Sequence, residues 1–412
     1  CTIILGSGAL FSSFSGMAQQ DKQKISTAYQ AFENLSTLKY GISSFTVLDA
    51  KTGAVVFEKN SSIGLPTAST MKVITSATAL DILGENYTYK TKLSYTGTID
   101  SSGTLLGDII IDGAGDPTLA SDRFPAHNAE NILNKWVYAI KNAGITAIAG
   151  RIIGNDLHFN GLDVPSGWSW SDMGNYYGAG ISGLNWGENK IGVHFAPAAV
   201  GQAAAIQHIS DSLDFVTIIN EVKTGAAGSG DNVYAYSAPY SNKIYLRGSY
   251  GKDLKKNIEI SVPDPALAAA SALQKQLATQ EISSSHAPTT GKALQDSALT
   301  IASEKVELDV HESPKLSEIV YWFNQKSINL YGEAMLKTMG ILSNNTSHSG
   351  DAGYMVSKYW EQKLKINLGE LHIEDGSGLS AQNRVTSAAM ARIMQYAKGR
   401  PWHASFLKSL PT

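Results

Sequence analysis

The sequence predicts a mixed α/β (α+β) protein: a host domain in two halves, with a large β-rich region inserted between them. Three observations predict it. The front of the chain reads as a helix, a hairpin and a second helix. The C-terminal part reads as mainly helical, and the segment between is short strands and glycine turns. With 412 residues the chain is too long for one small core, so two or three domains are expected. No repeat of fixed period is visible.

Taken in order, the first stretch is "CTIILGSGALFSSFSGMAQQ", small and apolar until Gln19. Gly16-Met17-Ala18 has the small-x-small form of a signal-peptidase site. Residues 1–18 are therefore expected to be the back part of a secretory signal, lacking its initiator Met and basic n-region. A lipoprotein Cys1 is the second reading, weakened because Thr-Ile-Ile-Leu is not a polar tether. Next, Ile25, Ala28, Phe32 and Leu35 recur at helical spacing. "SFTVLDAKTGAVVFEKN" reads as two strands joined at Asp49 to Gly53. "PTASTMKVITSATALDIL" reads as a helix with turn chemistry before it and Gly84 after it. Val73, Ile74, Ala77, Leu80 and Leu83 give it a broad apolar face, so it is expected to be buried. Strands and glycine turns run from about Tyr87, with a second β region over roughly 190–262, where "VKTGAAGSGD" reads as its most flexible loop. The expected domains are a host of residues 19–92 and 284–412 and a β-rich insertion of residues 93–283, itself expected to form two subdomains.

Composition excludes several functions. Hydrophobic residues make up 43%, charged residues 17%, and the net charge is -3, with no basic run to favour nucleic acid. No apolar stretch in the body of the chain is long enough to span a membrane. Cys1 is the sole cysteine, so a processed chain has none. That excludes disulfides, thiolate metal sites and a cysteine nucleophile, and suggests a bacterial periplasm or cell surface. The nine histidines are scattered without a His-x-x-x-His pair, so neither a metal nor another cofactor is expected.

The residues that carry chemistry are a serine and a lysine three apart. Ser-x-x-Lys occurs at Ser36/Lys39, Ser69/Lys72, Ser249/Lys252 and Ser405/Lys408. On a helix such residues share a face, about 5–6 Å apart at Cβ. The positive helix N-terminus favours a developing alkoxide or oxyanion. Burial disfavours the ammonium form, lowering a lysine pKa from about 10.4 toward that of a useful base. Ser69/Lys72 alone combines a helix start, an apolar helix body and little competing charge. The ordinary alternative is an N-terminal helix serine beside a snorkelling lysine. Ser327-Ile328-Asn329, leading into another apolar helix, adds a hydroxyl able to relay a proton and an amide able to hold the lysine and a substrate carbonyl.

Together these stretches resemble the low-molecular-mass class C penicillin-binding proteins, the D-alanyl-D-alanine carboxypeptidase/endopeptidases. "ASTMK" looks like the nucleophile motif and "SINLYGEAMLKTMG" like the Ser-x-Asn motif with its helix. "GDIIIDGAGDPTL" and "GWSWSDMGNYYGAGISGLNWGEN" look like the inserted domain. "EDGSGLSAQNRVT" is similar to the loop and helix preceding the third motif. The resemblance implies a serine β-lactamase/transpeptidase-like catalytic domain with the insertion between its first and second motifs. It implies Ser69 as acylated nucleophile, Lys72 as general base, Ser327 as proton relay and Asn329 as contact to lysine and substrate. The implied partners are peptidoglycan peptides and β-lactams, and the implied location is the periplasm.

The sequence departs from the pattern in its third motif, Lys-Thr-Gly, which should follow "DGSGLS". Lys51-Thr52-Gly53 and Lys223-Thr224-Gly225 are out of order, and both are expected to be ordinary turns. The C-terminal strands of the catalytic domain are therefore expected to be missing from a chain shortened at both ends, with impaired turnover. Asp156 is a candidate for reading a diamino-acid side chain, against an Asx turn cap. Asp49, Asp112, Asp116, Asp172 and Asp375 sit beside turn formers and read as structural. Trp168, Trp170 and Trp186 are expected in a core or domain contact rather than a sugar-binding surface. A β-lactamase fits less well, because the insertion suits a macromolecular substrate. A non-catalytic peptidoglycan-binding scaffold that keeps the pocket as a relic is the alternative from another class.

Overall fold

A computed structural model describes residues 8–159, 163–211 and 213–411. Cys1–Ser7 of the signal-like segment lie outside the described residues, and Gly8–Ala18 form the start of the first helix, α1 (Gly8–Glu33). The expected hairpin is present, Phe45–Leu48 pairing antiparallel with Val55–Lys59. Its turn is held by Asp49, whose carboxylate accepts the Lys51 and Thr52 amides at 3.0 and 2.7 Å. The α1 stripe differs from expectation. Phe32 and Leu35 are exposed, and Tyr29 makes the contact instead, its ring 5.4 Å from Phe45 and 5.7 Å from Phe57. The aromatic hairpin face decides which side of the helix is covered.

α2 (Met71–Ile82) lies in the largest core, as its apolar face requires, with Ile74, Ala77 and Leu80 buried. Each such aliphatic side chain larger than alanine contributes roughly 1.5–3 kcal/mol of burial free energy. The chain continues through α3 (Ala129–Asn142), the short α4 (Trp170–Met173), α5 (Pro265–Ala278) and α6 (Gly291–Asp296). Five strands form one sheet in the order Thr289–Thr290, Ile152–Asn155, Ile109–Asp112, Lys90–Tyr95, Val306–Glu312. One of its two parallel steps, Ile109–Asp112 beside Ile152–Asn155, needs a crossover, and α3 supplies it. A second core fills the space among this region, α3 and α5, and a third sits between the small sheets of residues 190–262. Strands C-terminal to residue 283 thus pair with the insertion: Val306–Glu312 runs antiparallel to Lys90–Tyr95.

One turn expectation fails. Lys51–Gly53 lies in the hairpin turn, with Gly53 at φ +72. Lys223–Gly225 is instead a strand, paired parallel with Ser249–Gly251. Its partner lies far along the chain, and glycine-rich flanks hid it.

The chain returns to the first core with α7 (Leu316–Lys326), α8 (Asn329–Asn344), α9 (Ser349–Leu364), α10 (Ser387–Lys398) and α11 (His403–Ser409). α8 and α9 pack on one another, and α2 packs against α7 and α8. Asp81, near the end of α2, ties this bundle together by accepting hydrogen bonds from Tyr359, Tyr396 and Trp402. Among the described residues no helix is long and apolar enough to cross a membrane.

Candidate active site

Three chain segments converge on Ser69. The first is the 3-10 turn Ala68–Thr70 that opens α2. Ala68 holds a left-handed φ of +43, which turns the chain sharply before the serine. Ser69 is exposed, whereas Lys72, one turn on, is buried at 2% exposure. The helical spacing places the Lys72 amine 3.2 Å from Ser69 Oγ.

The second segment is the α7–α8 junction. Ser327 ends α7 in the left-handed conformation, φ 54. That kink turns its Oγ to within 3.0 Å of Ser69 Oγ. Asn329 begins α8, buried, and its Oδ1 accepts from Lys72 Nζ at 2.7 Å. Its Nδ2 donates to the Tyr177 carbonyl of the insertion at 2.8 Å, which fixes the amide's orientation.

The third segment is the loop of "EDGSGLSAQN". The Ser377 carbonyl accepts from Lys72 Nζ at 2.7 Å, and the Gly376 carbonyl accepts from Thr75 Oγ1 at 2.6 Å. Asp375 shapes the loop: buried, it accepts from the Gly378 and Ser380 amides at 2.7 and 2.6 Å and from Asn383 Nδ2 at 2.8 Å. It also accepts from Trp168 Nε1 at 2.8 Å, so this tryptophan of the insertion makes a domain contact. Trp186 packs against Trp136, while Trp170 stands exposed near Tyr236.

The electrostatics follow from burial. Desolvation lowers the Lys72 pKa to about 8, against the pull of the Glu333 and Asp375 carboxylates, which favour the ammonium. At pH 7 roughly a tenth of such an amine is neutral. A neutral amine has two N–H groups and one lone pair. The Asn329 and Ser377 oxygens take the two N–H groups, which aims the lone pair at Ser69 Oγ–H. The arrangement can therefore draw a proton from the serine. A cleft beside it is lined by Arg123, Tyr176, Tyr177, Lys326, Ser327 and Asn329.

The structure thus brings Ser69, Lys72, Ser327 and Asn329 together and leaves Asp156 out of their hydrogen bonds. Asp156 is buried in the insertion, where Oδ1 accepts the Lys292 amide at 2.9 Å near the start of α6. Burial raises its pKa. Sequence reasoning missed Thr75, Tyr177, Ser377 and Glu333. Two of these act through backbone carbonyls, which leave no side-chain signature. Among the described residues no group of three or more His, Cys, Asp or Glu is placed to hold a metal ion.

The fold is that of the serine β-lactamase/transpeptidase-like proteins. The chain belongs to the D-Ala-D-Ala carboxypeptidase 3 (S13) family, matched over residues 22–412, and so to a family of hydrolases that act on peptidoglycan peptides. It is similar to a D-alanyl-D-alanine carboxypeptidase of an Actinomadura species, at 26% identity over 383 residues, 91% of this chain and 68% of that protein. It is similar to the D-alanyl-D-alanine carboxypeptidase DacB of Haemophilus influenzae, at 23% identity over 345 residues, 83% of this chain and 68% of that protein. In fold it resembles the crystal structure of penicillin-binding protein 4 from Haemophilus influenzae, with TM-score 0.71, 21% identity, and coverage of 89% of this chain and 77% of that one.

Proposed function

We propose that the protein is a serine-type D-alanyl-D-alanine carboxypeptidase/endopeptidase working through an acyl-enzyme on Ser69. Ser69 Oγ attacks the carbonyl carbon of the D-Ala–D-Ala bond as its proton passes to Lys72 Nζ. The carbon–nitrogen bond then breaks, and the leaving amine takes the proton back through Ser327 Oγ. Asn329 holds the lysine through Oδ1, and the second N–H of its amide binds the substrate carbonyl. Water hydrolyses the resulting ester by the same proton path in reverse, releasing the shortened peptide and Ser69. A β-lactam carbonyl meets the same nucleophile, its ring opening instead of a leaving group departing. A Haemophilus influenzae penicillin-binding protein 4 of the same fold has been crystallised with a β-lactam. A peptidoglycan substrate implies export to the periplasm, and Gly16-Met17-Ala18 fits a signal-peptidase site. Asp156 reads the diamino-acid residue of the substrate.

One observation carries this reading: the buried Lys72 amine gives its N–H groups to Asn329 and Ser377 and faces Ser69 at 3.2 Å. Fluorescent penicillin tests it. The protein is expected to form a covalent adduct that Ser69→Ala abolishes, and to release D-Ala from a D-Ala-D-Ala peptide. Absence of adduct, or labelling that survives Ser69→Ala, refutes it and leaves the non-catalytic scaffold.

A further inference from the structure

A fully buried carboxyl on α8 has no part in the chemistry just described. Glu333 has 0% exposure, and its neighbours Tyr331, Ala334, Met335 and Leu336 are buried apolar residues of the first core. An unpartnered carboxyl there would be strongly destabilising. Its two oxygens both accept the Gly376 amide, at 3.1 and 3.2 Å, and the Ser377 hydroxyl bonds to it as well. The turn lies so close to α8 that a Cβ on Gly376 would stand 2.3 Å from the Gly332 carbonyl oxygen. The next carbonyl along the turn, that of Ser377, is the one that holds Lys72 Nζ at 2.7 Å.

We propose that Glu333 is a positioning residue for Lys72, its carboxyl clamping the Gly376–Ser377 turn from below and so fixing the carbonyl that aims the amine at Ser69. This rests on the reading of Lys72 as the base of Ser69. The clamp has two sides. Asp375 holds the loop from the Gly378 and Ser380 amides, and Thr75 of α2 holds the Gly376 carbonyl. Glu333 is the part of the clamp that belongs to α8, the helix that also carries Asn329. Both oxygens that take the N–H groups of Lys72 are thereby referred to one rigid element. A common frame keeps two acceptors in register through thermal motion better than two independent loops would.

The clamp is also electrostatic. The charged groups facing Glu333 are Asp375 from the loop, Lys72 from α2 and Lys337 from its own helix. Burial, with Asp375 adding to it, pushes the Glu333 carboxyl up to about 8, and burial brings Lys72 down to about 8. The two groups therefore titrate together near that pH, and an ionised Glu333 favours the ammonium form of Lys72.

Glu333→Gln separates positioning from mere support of the fold. It keeps the shape, removes the charge and leaves one acceptor oxygen. Lysine labelled with ¹³C at Cε lets the Lys72 titration be followed directly, whether or not the protein acylates. Its midpoint is expected to fall by about half a pH unit, because a negative neighbour is lost. The plateau rate of fluorescent-penicillin labelling, counted per folded molecule, is expected to fall about tenfold or more. Glu333→Asp, which keeps the charge but cannot reach the Gly376 amide, is expected to lose the plateau and hold the midpoint. Wild-type midpoint and plateau in Glu333→Gln overturn the proposal. So does a variant that only lowers the unfolding temperature. A wild-type protein that takes up no penicillin refutes the acyl-enzyme instead, and the Lys72 titration then still decides the role of Glu333.

Discussion

Substituting Gly378 by alanine tests whether the third segment sets the position of Ser69. Gly378 holds φ +84, where an L side chain costs roughly 1–2 kcal/mol. A Cβ there would sit 1.8 Å from the Ala68 carbonyl oxygen and 2.9 Å from Met71 Cβ. Both are far inside contact distance, and overpacking of this kind costs about 1–3 kcal/mol more. The expected destabilisation of Gly378→Ala is therefore about 2–5 kcal/mol. The direction of relief matters for function. The loop cannot swing away freely, because the Gly378 amide is held by Asp375 at 2.7 Å. The backbone of Ala68, already left-handed, is left to move, and Ser69 is bonded directly to it. A shift of about 1 Å at a reacting atom costs on the order of a hundredfold in rate. Urea unfolding gives the first quantity and timed fluorescent-penicillin labelling the second, both on the same preparation. A variant with wild-type unfolding free energy and a labelling rate within about twofold of wild type would show that the loop does not position the serine.

Two other predictions follow from charges. The labelling rate is expected to rise with pH through a midpoint near 8, where Lys72 titrates, and to fall about tenfold per unit below it. A rate flat between about pH 6 and 9 contradicts Lys72 as the base. For Asp81, burial raises the pKa, but the hydrogen bonds from Tyr359, Trp402 and Tyr396 and the Lys363 charge outweigh it, so the net shift is downward. Its contribution is complete above the ordinary carboxylate range and is lost as pH falls through the depressed folded value. Asp81→Asn is expected to cost about 2–4 kcal/mol at pH 7 in urea unfolding and to flatten the acid limb of stability, and an unchanged acid limb counts against it.

Much of the site was legible because its residues announce their chemistry by type. Serine three before lysine at a helix start, and Ser327-Ile328-Asn329 before an apolar helix, are local patterns, and the fold brings them together. α2 was legible for the same reason, since Ile74, Ala77 and Leu80 repeat at helical spacing. The illegible parts depend on distant chain. Val306–Glu312 finds its partner at Lys90–Tyr95 across the whole insertion, and Lys223–Gly225 pairs with Ser249–Gly251. Tyr29 displaced Phe32 and Leu35 because the hairpin supplied Phe45 and Phe57 as partners. Asp375 read correctly as a turn former, yet nothing local showed that its turn would present a carbonyl to Lys72.

Four serine–lysine pairs share one spacing, and burial sets one of them apart. Lys39, Lys252 and Lys408 are exposed, while Lys72 is at 2%. Ser249 lies in the strand Lys243–Gly251 and Lys252 just past its end, so this pair has no helix to set its spacing. Exposure leaves an ammonium its hydration, and burial takes that hydration away. Burying the amine makes it a base, but burial also demands acceptors for its remaining N–H groups. Asn329 and Ser377 are those acceptors, so the groups that make Lys72 tolerable in the core also dictate where its lone pair points. Desolvation and orientation are met by the same two hydrogen bonds, which in the proposed mechanism makes activation of Ser69 a consequence of how the helix packs.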